Sequence, residues 1–81
     1  MVCQVCYRIE ADSSPGLLPR LLQPFAKRNL VPDRFEADCQ VECTVVVIAM
    51  TAMPQEMVHL VEGNLWQVVG VRCVTRTDGQ P

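Results

Sequence analysis

A run of six apolar residues in the middle of the chain, Val45-Val46-Val47-Ile48-Ala49-Met50, most constrains how it can fold. Four of the six are β-branched, a composition that favours strands. The run is far too short to cross a bilayer as a helix. We therefore predict a buried strand with two apolar faces. Helices can cover one face of this strand. Either a partner covers the other face, or the strand lies at the centre of the sheet among neighbours with long polar side chains.

The first quarter of the chain predicts a strand followed by a helix. Residues 2–11 alternate in polarity, with an apolar face made of Cys3, Val5, Tyr7, Ile9 and Ala11. The turn at 12–16 follows, in which we expect Ser14 to cap a helix and Pro15 to take its first position. The leucines and Phe25 then recur at helical spacing, and Pro24 predicts a kink or an early end.

The remainder predicts three more strands and one more helix. Residues 34–41 alternate in polarity, and the apolar run belongs to a third strand over 43–50. Pro54 is expected to open a second helix, whose apolar face would be Met57, Leu60, Val61 and Leu65. Residues 71–75 form the last strand. The order β-α-β-β-α-β predicts an α+β, ferredoxin-like sandwich: a four-stranded antiparallel sheet with both helices on one face. We expect one domain over 1–76 and a flexible tail over 77–81.

Composition and charge argue against several classes of function. The 81 residues carry a formal net charge of −2, and only Lys27 and Arg28 are adjacent basic residues, which argues against a nucleic-acid surface. No signal peptide or membrane span is recognisable, so we expect a cytoplasmic protein without membrane association. Five cysteines are an odd number, which argues against a closed disulfide framework.

The spacing Cys3-x-x-Cys6 raises the alternative of a metal or thiol carrier on the same fold. Positions three apart in a strand face opposite sides of the sheet, which is unfavourable for a shared ligand. A zinc site would also need two more ligands, with Cys73 and His59 as the available candidates. We therefore interpret the cysteines as packing residues and expect no bound metal or cofactor.

Catalytic motifs are missing from the sequence. His59, the single histidine, falls off the apolar stripe of the second helix, where Glu56 and Glu62 suggest a solvated face. Ser13 and Ser14 lack the glycine pattern of a nucleophile elbow, and there is no glycine-rich phosphate loop. The chain is therefore not expected to be an enzyme.

The loop between the first strand and the first helix is the candidate binding site. Gly16 is a poor helix former that permits close approach of a ligand or another backbone. Amides at a helix N-terminus bind carboxylates. The predicted effector site comprises Asp12, Ser13, Ser14, Gly16, Leu17 and Leu18.

At this loop the chain resembles the ACT domain family. The pattern Asp12-x-x-Pro15-Gly16-Leu17-Leu18 matches its polar residue, turn and Pro-Gly followed by an aliphatic residue, and Val68-Val69-Gly70-Val71 resembles the segment entering its last strand. Single domains of this size are similar to the small regulatory subunits of acetolactate synthase. Those subunits usually carry Asn where this chain has Ser13, and Asn-Ile where it has Val31-Pro32.

The resemblance implies a role and partners. It implies a non-catalytic regulatory domain that binds a small effector, such as an amino acid, between paired domains. It also implies a homodimer and a larger catalytic subunit such as acetolactate synthase, with a role in branched-chain amino-acid synthesis.

Overall fold

The computed structural model describes residues 1–78 and shows the predicted order of elements. The strands are β1 (Val2–Asp12), β2 (Arg34–Cys39), β3 (Cys43–Pro54) and β4 (Val71–Asp78). The helices are α1 (Leu17–Ala26) and α2 (Val58–Trp66), and one turn of 3-10 helix (Gln55–Met57) precedes α2. The predicted ferredoxin-like sandwich is confirmed.

The four strands form one antiparallel sheet in the order β2-β3-β1-β4. The two longest strands, β1 and β3, therefore lie at its centre, and alternate residues of both point into the core beneath the helices. The core contains Val5, Tyr7, Ile9 and Ala11 from β1, Val46, Ile48 and Met50 from β3, and Leu17, Leu21, Phe25, Val58, Val61 and Leu65 from the helices. Burial of this apolar surface is the main stabilising contribution to the fold.

The start of α1 differs from the prediction. Gly16 is the N-cap residue, in the left-handed region at φ 82°, and no side chain caps the helix. Ser14 as cap and Pro15 as first residue were wrong, because the chain turns two residues later. The carbonyl of Ser14 instead accepts a hydrogen bond from the amide of Leu17 (3.3 Å). Pro19 is tolerated because it lies in the first turn, where amides lack helical acceptors.

The predicted early end of α1 near Pro24 agrees with the structure, where the helix ends at Ala26. The amide of Leu30 donates to the carbonyl of Phe25 (2.9 Å), and that of Asn29 donates to Ala26 (3.0 Å). Asn29 has φ 58°, so these two hydrogen bonds form a Schellman motif. Leu30 packs against the core and closes this end of the helix.

The buried face of α2 was predicted only in part. Val61 and Leu65 are buried as expected, together with Val58, whereas Leu60 is 55% exposed. The α-helix begins only at Val58, after the 3-10 turn, and its inward face follows positions 58, 61 and 65. Pro54 precedes the 3-10 turn rather than the α-helix itself.

The face of the sheet opposite the helices carries an apolar stripe flanked by charges. Val45, Val47 and Ala49 of β3 form the stripe, and each is half-buried. Their neighbours on β2 are Asp38, Glu36 and Arg34, and those on β1 are Glu10, Arg8 and Cys6. Ion pairs join Arg8 to Glu10 and Arg34 to Glu36. Long polar neighbours thus shield part of the stripe, and nothing in the described chain lies over it.

The expected tail over 77–81 begins inside β4, which continues through Asp78, and residues 79–81 lie outside the described residues. Within residues 1–78, neither helix has the length and apolar character needed to cross a membrane.

Candidate functional site

The loop between β1 and α1 is fixed on one side to the start of β4. The amide of Asp12 donates to the carbonyl of Gly70 (2.9 Å), and the Asp12 carboxylate forms an ion pair with Arg72. Gly70 has φ 95°, a conformation that residues with a Cβ rarely adopt, and this conformation directs the chain into β4 beside Asp12. One end of the candidate site is therefore held by residues nearly sixty positions away along the chain.

The other side of the loop is fixed to the β2–β3 turn through Ser13. Its hydroxyl donates to the carbonyl of Gln40 (2.6 Å). A hydroxyl has one proton to donate, so the contact between Ser13 Oγ and Thr44 Oγ1 (2.8 Å) has Thr44 as donor. Thr44 is buried, and this bond satisfies its hydroxyl. The Ser13 side chain thus holds the loop in place, and its one proton is already donated within the domain.

The start of α1 presents two main-chain donors without acceptors. Within residues 1–78, no acceptor receives the amide of Gly16 or that of Leu18, and Pro15 and Pro19 have no amide proton. The guanidinium of Arg20 folds back toward the loop, 3.9 Å from the point where a Cβ on Gly16 would lie. Two amides and a nearby cation at a helix N-terminus are a suitable site for a carboxylate.

The predicted site residues are placed in two different environments. Asp12, Ser14 and Gly16 are exposed and Ser13 is half-buried; Asp12 ends β1, and the other three belong to the loop. Leu17 is 2% exposed and belongs to the core, and Leu18 is half-buried against it. The loop therefore offers a ligand mainly polar contacts. Further apolar contacts to the ligand would have to come from another part of the protein or from a second molecule.

Sequence reasoning missed three residues at this site: Arg20, Gly70 and Arg72. Arg20 had a local signal, since it lies four residues after Gly16 and one helical turn brings the two together. The pattern Val68-Val69-Gly70-Val71 marked the entry to the last strand, but nothing in the sequence linked Gly70 or Arg72 to the loop, because only the pairing of β4 with β1 brings them there.

Cys3 and Cys6 lie on opposite faces of β1. Cys3 packs against the core and its thiol approaches the carbonyl of Met53 (3.6 Å), whereas Cys6 lies on the opposite face between Ala49 and Thr77. The opposite orientations agree with the prediction from strand alternation. In the part of the chain that is described, no three His, Cys, Asp or Glu side chains group as metal ligands.

Arg76 organises the polar groups beside α2. It donates to Glu62 (2.9 Å) and contacts His59 Nδ1 (3.1 Å), and its Nε lies 3.0 Å from Asp78. His59 is thus placed beside an arginine. Nearby, burial raises the pKa of the Tyr7 phenol well above its ordinary value, and Arg76 partly opposes the shift. Tyr7 is therefore a neutral hydrogen-bond donor, and it donates to the carbonyl of Val58 (2.8 Å).

Comparison with known proteins agrees with the fold. The chain is similar to the ACT domain from GTP pyrophosphokinase of Chlorobium tepidum, with TM-score 0.81, 13% identity and coverage of 95% of this chain and 100% of the crystal structure's chain. The solution NMR structure of that domain gives TM-score 0.74, 14% identity and coverage of 91% and 84%. Identities this low show likeness of fold alone, and no curated protein matches the chain significantly. The ACT-like domain family matches residues 1–79, and the chain belongs to that family.

Proposed function

We propose that this chain is a non-catalytic regulatory domain that binds the carboxylate of a small effector, an amino acid, at the β1–α1 loop and adjusts the activity of a larger enzyme. ACT domains are typically regulatory ligand-binding domains. The observation that carries the proposal is the pair of amides at Gly16 and Leu18 beside the Arg20 guanidinium. An anion there gains two main-chain hydrogen bonds and an opposite charge.

The direct test is calorimetric titration of valine, leucine and isoleucine into the wild type and a Gly16→Asp variant. A carboxylate at position 16 lies beside the incoming one, and two unit charges about 4 Å apart repel by roughly 1 kcal/mol in water and about 4 near a protein surface. We expect the affinity to fall by about fivefold to a thousandfold. Gly16→Ala adds a Cβ without charge and should have a smaller effect.

Gly63→Asp is the matched control, because it adds the same side chain to an open position on α2. Its effector affinity should equal that of the wild type. If the wild type binds none of the three amino acids at millimolar concentration, sensing of these effectors is refuted. Equal binding by Gly16→Asp and wild type would place the ligand elsewhere.

We also propose that the domain pairs with a second copy. The support is the stripe of Val45, Val47 and Ala49 on the helix-free face, where a depression of about 480 Å³ lies over β3 between β1 and β2. A second copy would also supply the apolar contacts that the loop lacks. Analytical ultracentrifugation should show a dimer at micromolar concentration. Val47→Glu should shift it to monomer, because a charge would have to be buried in the apolar interface, whereas Thr75→Glu at the polar margin should not.

For the partner enzyme we propose a larger catalytic subunit, with acetolactate synthase as the first candidate. The support is the resemblance of a single ACT-like domain of this size to the small regulatory subunits of that enzyme. We place the complex in the cytoplasm. This agrees with the five free cysteines, because thiols stay reduced in that compartment. Purification of the tagged chain from its native host should recover a thiamine-diphosphate enzyme. Recovery of a different enzyme would replace this candidate and leave the regulatory role standing.

A further inference from the structure

The fold divides the basic side chains into two groups. Every arginine of the sheet forms an ion pair with a carboxylate: Arg8, Arg34, Arg72 and Arg76. The other three cations belong to α1 or the turn after it, and no carboxylate among residues 1–78 lies within ion-pair distance of them: Arg20, Lys27 and Arg28. Helix α1 contains no acidic residue. A protein of net charge −2 thus presents one uncompensated basic flank.

A groove of about 700 Å³ runs along this flank between α1 and the end of α2. Arg20, Gln23 and Lys27 line it from α1, and Asn64 and Gln67 line it from the α2 side. Arg20 and Lys27 are seven residues apart, about two helical turns, so they lie on one face of α1 about 10.5 Å apart along its axis. The groove is therefore elongated, with a cation toward each end.

One acceptor beside the groove lacks a donor. Asn64 Oδ1 is buried, and no hydrogen-bond donor within residues 1–78 reaches it. Buried acceptors without partners are rare in native proteins. An occupant of this groove that donates an N–H group would satisfy it.

We propose that this groove binds an acidic segment of the partner enzyme in an extended, polyproline II-like conformation. In that conformation, residues three apart lie on one side about 9.3 Å from each other, and the main-chain N–H groups are free to donate. Carboxylates three residues apart match Arg20 and Lys27, and a main-chain N–H matches Asn64 Oδ1. A simple anion would supply the charge but not the donor. The inference rests on the proposed function, because it names the surface through which a regulatory domain meets its enzyme.

The test is fluorescence anisotropy with a fluorescein-labelled peptide of Glu-Pro-Ala repeats, titrated with the full chain at low salt. The same peptide with Gln for Glu is the reference and should bind far more weakly. Lys27→Gln should weaken binding of the Glu peptide by up to about fivefold, the size of one exposed ion pair. Asn64→Ala should weaken it by about fivefold, the size of one hydrogen bond, while the melting temperature stays unchanged or rises.

Arg34→Gln is the matched control, since it removes one positive charge from the other face of the molecule and should leave peptide binding unchanged. Equal loss in Lys27→Gln and Arg34→Gln would show a general charge effect and overturn the groove. Equal binding of the Glu and Gln peptides would also overturn it. Displacement of the peptide by inorganic phosphate, but not by chloride at equal ionic strength, would identify a small-anion site instead. The titration contains no amino acid, so its failure leaves effector binding at the loop untouched.

Discussion

Replacement of Tyr7 by Phe is the sharpest test of how the core is held to α2. The Tyr7 hydroxyl donates to the carbonyl of Val58, 2.8 Å away, and both atoms lie in the buried interior. Val58 begins α2, so its carbonyl is also positioned to accept the helical hydrogen bond from the amide of Glu62. Tyr7→Phe therefore removes one neutral hydrogen bond and leaves no acceptor orphaned. The contact with Phe25, edge-to-face at 6.0 Å, is preserved.

We expect Tyr7→Phe to lower the free energy of unfolding by about 1 kcal/mol at pH 7. For a domain of this size, that corresponds to a fall in melting temperature of about 4–8 °C. Urea denaturation followed by circular dichroism would measure the difference. Equal stability at pH 7 would show that the bond contributes nothing net.

The same pair of proteins predicts a reversal at alkaline pH. Burial raises the pKa of the Tyr7 phenol above its ordinary value of 10.0, so the unfolded chain loses this proton first. The stability that depends on the neutral phenol is complete below pH 10 and is lost as pH rises, by about 1.4 kcal/mol per pH unit. Tyr7→Phe has no such proton, so the two stabilities should become equal near pH 11 and then reverse. Parallel curves up to pH 11 would refute burial of the phenol.

Two further predictions concern the loop and its anchors. Gly70→Ala should destabilise the fold by about 1 kcal/mol or more, because Ala is strained at φ 95°, although its Cβ would meet Asp12 only at an ordinary 3.8 Å. Gly63→Ala, the same change inside α2 with open space around it, should stabilise the fold by about 0.5–1 kcal/mol. If the urea midpoints of Gly70→Ala and Gly63→Ala both rose or both fell relative to wild type, the backbone argument would be contradicted. Ser13→Ala should cost about 1–3 kcal/mol, because the buried hydroxyl of Thr44 loses its partner; thermal melting equal to wild type would show that the loop does not depend on it.

The sequence by itself determined the architecture of this protein. The alternation in β1 and the apolar run of β3 have a period of two, and that period depends only on backbone geometry. It placed Tyr7 on the apolar face of β1, Cys3 and Cys6 on opposite faces, and Val47 on the face of β3 opposite to Val46, all as the structure shows. These assignments are local, and nothing distant in the chain had to be known.

Only the tertiary structure decided how the candidate site is built. Serine is a favoured N-cap residue, yet Gly16 and not Ser14 is the N-cap of α1, because the loop is held between Gly70 on one side and the β2–β3 turn on the other. The side chain of Ser13 is satisfied by Gln40 and Thr44 for the same reason. Such contacts form between residues far apart along the chain, where no spacing in the sequence announces them. The pairing of the strands brings these residues together, and it therefore determines which groups at the loop remain free for a ligand.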